Sequence, residues 1–147
     1  MRDVLFYKTA NGRQPVVEFL DSLDGKQAQK VAWVLELIES LNQIPKQYFK
    51  KLESTDDIWE VRVQSGNNAF RLLGFWDTGK FVILCHAFAK KSQEIPRKEI
   101  KLAEDRKNDY FRRKGQPLAT LRNISQTGRK RTPHLLRVMN PAIMTLK

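Results

Sequence analysis

Four basic or titratable residues, Arg62, Arg71, His86 and Lys90, fall on what read as three successive strands. The stretch from Phe81 to Lys91 carries the strongest pattern. It is rich in Val, Ile and Phe, with Asp77-Thr-Gly-Lys80 before it and Ser92 to Pro96 after it, which predicts a strand between turns. Side chains alternate along a strand, so Val82, Leu84, His86, Phe88 and Lys90 are expected on one face, with the imidazole and the ammonium roughly 13 Å apart. The preceding strand carries Arg71 between Phe70 and Leu72. The one before it carries Arg62, which alternates with Trp59, Val61 and Val63. Both guanidiniums are therefore expected on the face opposite their apolar neighbours. A guanidinium offers phosphate a planar fork of donors, an ammonium a point charge, and an imidazole a group that titrates near neutral pH. Cations repeated on neighbouring strands predict a surface that holds a polyanion. Each group also has a plainer use: Arg62 as the partner of an acid, His86 as a satisfied core residue, Lys90 and Lys91 as solvated strand-end charges.

Positioning these groups requires a small sheet and its covering helices. Val4 to Lys8 is expected to form a first strand. After an Asn11-Gly12 turn, Pro15 opens a helix with Val16, Val17, Phe19 and Leu20 inward. Asp24 is placed to cap a second helix, in which Ala28, Val31, Ala32, Leu35, Ile38 and Leu41 trace the helical period until Ile44-Pro45 stops it. So short a turn between two helices predicts an antiparallel hairpin. Tyr48, Phe49 and Leu52 are expected to anchor an irregular segment. Three strands follow, Ile58–Gln64, Ala69–Trp76 and Lys80–Ala89, joined by turns short enough to make neighbours antiparallel. Pro96 restarts the chain as a helix through Arg113, with Ile100, Ala103, Arg106, Lys107 and Tyr110 along one side. The order β-α-α-β-β-β-α predicts an α+β domain: a small twisted antiparallel sheet with an N-terminal helical hairpin on one face and a C-terminal helix.

Charge narrows the partner. The 147 residues suit one domain with an appendage, and a formal charge of +11 with pI near 10.0 favours nucleic acid or an acidic protein. Residues 1–114 hold 21 basic and 16 acidic groups, whereas 115–147 hold six basic groups and no acid. A boundary is therefore expected near Gly115-Gln-Pro117, with 115–147 a basic tail. That tail is expected to be either a disordered extension or a short amphipathic element around Leu135 to Met144. Cys85 is the single cysteine, so no intramolecular disulfide is possible and a reducing cytoplasm fits; its place in an apolar strand marks it as a core residue. The N-terminal residues lack a signal-peptide pattern, and no stretch approaches the ~20 apolar residues of a membrane span. No Cys/His cluster suggests a metal site and no glycine-rich loop suggests a nucleotide, so no cofactor is expected.

Several blocks together resemble a known family. Trp59-Glu-Val-Arg62, Phe70-Arg71-Leu72-Leu73, Leu84-Cys-His86-Ala-Phe88-Ala-Lys90-Lys91-Ser-Gln-Glu-Ile-Pro96, and then Glu99-Ile100, Ala103, Arg106 and Tyr110, resemble the RelE/ParE superfamily of toxins. The match is nearest to the HigB-like, phage-derived branch. The resemblance covers about residues 2–114, and the block from Phe88 to Pro96 is its most specific part. It implies a RelE-like fold and the toxin of a type II toxin–antitoxin module, partnered by a cognate antitoxin in a hetero-oligomer. Most studied RelE and HigB relatives cleave mRNA in the ribosomal A site, whereas ParE relatives poison DNA gyrase.

Metal-independent RNA cleavage through a ribose 2′-OH needs a proton acceptor, a proton donor and cations on the transition state. On that reading Arg71 and Arg62 stabilise charge, His86 supplies acid or base, Lys90 holds the backbone, and Tyr110 stacks on a base or donates a proton. Lys91, Arg97 and Arg106 would bind RNA. His134 lies in the tail, so His86 has no second histidine. So sparse a set fits an enzyme that lets the ribosome orient its mRNA. Two other readings stay open: a ParE-like gyrase poison and a basic nucleic-acid-binding module without catalysis.

Overall fold

The computed structural model describes residues 2–88, 95–114 and 119–120, with side chains for 2–85 and 95–114. Its elements run β1 (Asp3–Phe6), α1 (Pro15–Asp21), α2 (Gly25–Ser40), β2 (Phe49–Lys51), β3 (Trp59–Ser65), β4 (Asn68–Asp77), β5 (Lys80–Phe88), α3 (Arg97–Arg112) and β6 (Ala119–Thr120). Local chemistry sets the helix starts. Pro15 occupies the first turn of α1, and Asp24 closes a reciprocal capping box with Gln27 at the start of α2. Leu41, expected inward on α2, instead ends that helix and is 36% exposed. The β4–β5 turn places Thr78 and Gly79 at φ 45° and 79°, the left-handed pair that matches the twist of a two-residue hairpin.

The architecture is α+β, as expected, but the sheet is mixed. Its order is β2-β3-β4-β5-β1-β6. The β3, β4 and β5 strands form the expected antiparallel meander, whereas β1 runs parallel to β5, pairing Asp3 with Lys80 through Phe6 with Ile83. Short turns dictate antiparallel neighbours only for strands adjacent in sequence, and β1 meets β5 after the whole meander has been laid down. Two further strands extend the sheet. β2 forms within the segment expected to be irregular, and β6 pairs antiparallel with β1 just beyond the expected domain boundary.

Both faces are covered. The α1–α2 hairpin packs on one, over Val61, Val63, Phe70, Leu72, Phe81 and Ile83. Helix α3 covers the other, over Leu73, Phe75, Val82, Leu84 and Cys85. Burial on two faces explains why residues 81–85 are a continuous apolar run rather than an alternating one.

The expected alternation along β5 does not survive. Leu73 pairs with Cys85 but Gly74 pairs with Ile83, so β5 carries one extra residue at Leu84. Such a bulge shifts side chains to the other face, and Leu84 and Cys85 lie in the same cluster beneath α3. Val82 and Leu84 are therefore out of phase with the residues that follow, and His86 falls opposite Leu72. Gly74 allows this close approach: a Cβ there would stand 2.4 Å from Val82 O and 2.7 Å from the Phe81 ring.

Candidate nucleic-acid interface

The β3–β4 ladder places Arg62 directly opposite Arg71. The alternation that buries Val61, Val63, Phe70 and Leu72 beneath the helical hairpin puts both arginines on the other side of their strands, as expected. Their environments differ. Arg71 is only 6% exposed, while Arg62 is half-buried. Between them lies Glu60, with its carboxylate 3.5 Å from Arg62 Nε and 3.3 Å from Arg71 Nε. The Arg71 contact is within ion-pair range but off-axis, so the buried Nε has no aligned acceptor among the described residues. Arg71 Nη1 donates to Phe70 O at 3.1 Å. Burial pulls the Arg71 pKa down against the pull of Glu60, and burial pushes the Glu60 carboxyl up against Arg71, Arg62 and Lys50. At neutral pH two guanidiniums share one carboxylate, an excess of one positive charge.

These residues open onto a cleft of about 360 Å³ lined by Lys30, Gln47, Tyr48, Arg62, Val63, Gln64 and Arg71. One wall is aromatic and cationic. The Trp33 ring, 44% exposed, meets Tyr48 edge-on at 5.3 Å, and Lys30 Nζ lies 4.6 Å from the Trp33 centroid. Amide donors, cations and ring edges in one concavity suit a phosphate with its attached base. A second, larger cleft of about 500 Å³ lies across the segment between α2 and β2, with Lys46, Lys50 and Lys51 around Phe49, Trp59 and Trp76. Arg2 also borders it, but its guanidinium donates to Ile38 O, Leu41 O and Asn42 O and so caps the C-terminal end of α2.

The other expected site residues are scattered. Tyr110 is buried against Phe75 and donates to Asp77 Oδ2 at 2.7 Å. Burial, then this bond, raises its pKa, so the phenol stays protonated. Asp77 lies six residues along β4 from Arg71, on the order of 20 Å, so the structure does not bring Tyr110 to the arginine pair. Arg106 is also engaged: its Nη1 donates to Leu84 O at 2.8 Å, satisfying the bulged residue, and its guanidinium lies over the Tyr7 ring. Arg97 is exposed at the start of α3. The β5 backbone brings His86 beside Leu72, one residue from Arg71, while its side chain lies outside the described set. Lys90 and Lys91 lie outside the described residues. Cys85 is core, as expected, and burial pushes its thiol up to about 12.

Reading the sequence alone missed Glu60, Lys30, Trp33 and Tyr48. Glu60 had a signal, since it shares the strand period with Arg62. Lys30 and Trp33 stand three apart on α2, which puts them on neighbouring turns of one face, but only the packing of Tyr48 against Trp33 shows that this face borders the arginines.

The family described as Phage derived protein Gp49-like (DUF891) matches residues 18–108, which span α1 to most of α3 and include the whole cleft. The chain belongs to that family. Gp49-like proteins are associated with the toxins of toxin–antitoxin modules, which agrees with the direction of the resemblance and carries an antitoxin as the suggested partner. No curated protein matches the Gp49-like chain. Among its described residues no group of three metal-ligating side chains converges, and no helix is long and apolar enough to cross a membrane.

Proposed function

We propose that this Gp49-like protein is the toxin of a type II toxin–antitoxin module. In this reading it acts in the cytoplasm as a RelE/HigB-type endonuclease that cuts mRNA on the ribosome and is held inactive by its cognate antitoxin. The observation that carries the proposal is the Arg62–Arg71 pair, set opposite each other across two strands at a cleft that also holds Lys30 and Tyr48. Two forked donors at one point suit the charge that builds on a phosphate during attack by a ribose hydroxyl. Lys90, Lys91 and Arg97 are assigned the RNA backbone. His86 is not placed in the reacting set, because its register partner Leu72 alternates with Arg71 along β4 and belongs to the face beneath the helical hairpin. Tyr110 and Arg106 are left out of the reacting set, because each is committed to a bond that holds α3 on the sheet.

Few titratable groups border the cleft, which fits an enzyme whose substrate is oriented by the ribosome. The purified chain should therefore cut mRNA on ribosomes and leave naked RNA nearly untouched. Mapping 5′ ends of transcripts after induction reads this out directly. Gyrase-dependent DNA breaks without transcript cuts would replace the reading with the ParE-like one. Tight RNA binding without cleavage in either assay would leave a binding module.

A further inference from the structure

Like charges directly opposite on adjacent strands repel, yet Arg62 and Arg71 occupy such a pair. Glu60 resolves the conflict. Its side chain is 6% exposed and each carboxylate oxygen meets a different guanidinium, Oε1 that of Arg62 and Oε2 that of Arg71. Both contacts use the Nε edge. Arg71 Nη1 is tied to Phe70 O, while Arg71 Nη2 and both Nη groups of Arg62 make no hydrogen bond to another described residue. The carboxylate thus sits between the two side chains near their stems, at ion-pair distance from each, and leaves donors at their tips, beside the cleft that both arginines line.

We propose that Glu60 is the positioning residue of this cleft: it clamps the two guanidiniums so that their remaining donors converge on one phosphodiester of a single RNA strand. The identity of the anion rests on the function proposed above; the clamp itself does not. The trio carries one net positive charge, equal and opposite to one phosphodiester, and Lys30 adds a second on the neighbouring wall. Donors fixed before the anion arrives need not reorganise when it does.

The sign of one substitution tests this. Glu60→Gln removes a negative charge beside the cleft at almost constant shape. If Glu60 only diluted the positive field, the variant would bind RNA more tightly. If it positions the arginines, the variant should bind a labelled single-stranded ribo-oligonucleotide about tenfold more weakly despite its higher charge. Anisotropy titrations of the full chain at fixed salt measure this, and unchanged or tighter binding overturns the proposal. A second readout is independent of RNA. The Arg62 and Arg71 side chains, assigned through Arg62→Lys and Arg71→Lys, should be ordered in the wild-type chain and mobile in Glu60→Gln, read from the nitrogen-15 relaxation of their Nε groups. Equal order in the two proteins would refute the clamp. Wild-type protein that ignores the oligonucleotide but shows the difference in order would sink the RNA reading and leave the clamp standing.

Discussion

Arg71 shows how one side chain can serve stability and function together. Its partner Glu60 is buried, so Arg71→Ala leaves that carboxylate with only the longer Arg62 contact and should cost about 1–3 kcal/mol of stability as well as RNA binding. Loss of toxicity in that variant would therefore be ambiguous. Arg62 is the cleaner probe, because its side chain is 30% exposed. Arg62→Gln should lower the melting temperature by only a few degrees, since Glu60 keeps its closer partner Arg71, and yet weaken RNA binding severalfold. A melt and an anisotropy titration on the same sample check both halves. Adding Glu60→Gln to Arg71→Ala should recover part of the lost stability without restoring binding, because the buried carboxylate left with Arg62 alone is then gone.

At the scale of elements, helix α3 is fastened to the sheet by two carboxylates. Asp77 receives Tyr110 and Lys114, and Asp109 receives Tyr7, Arg112 and Arg113, with Arg113 also reaching Lys8 O. Hydrogen bonds from Arg113, then from Tyr7, hold the Asp109 carboxyl well below the usual carboxylate range. A depressed pKa adds stability that is fully present above the unfolded value, about 4, and is lost as pH falls below it. Asp109→Asn should therefore lower stability at neutral pH and flatten its decline between about pH 5 and 2, measured by urea unfolding across that range. Tyr110→Phe loses the bond to Asp77 and should cost about 1–2 kcal/mol, while activity per folded molecule stays unchanged. A large drop in activity without a loss of stability would return Tyr110 to the reacting set.

For the whole molecule, the open question is how much of the chain the fold needs. β6 pairs Ala119 and Thr120 with Phe6 and Leu5, covering an edge of β1 that would otherwise present free backbone groups. Truncation after Thr120 should keep the melting temperature of the full chain, whereas truncation after Lys114 should lower it by a few degrees. Both cuts remove all six cations of 115–147, so both should flatten the dependence of RNA affinity on salt. Six phosphate contacts would contribute up to roughly −4 to the slope of log affinity against log salt on a single strand. Equal melts for the two truncations would show that β6 adds nothing.

The sequence by itself determined the local events. Pro15 and the Asp24 cap started their helices, the period of α2 set its buried face, and short turns joined β3, β4 and β5, because each depends on residues a few positions apart. The same local alternation placed Arg62 and Arg71 away from their apolar neighbours. Only the tertiary structure decided the partners of β1, the bulge at Leu84 and the burial of Arg71, since these depend on chain segments far apart in sequence. It likewise removed Tyr110 and Arg106 from the cleft: a residue type states what a side chain could do, and packing decides which atoms remain free to do it.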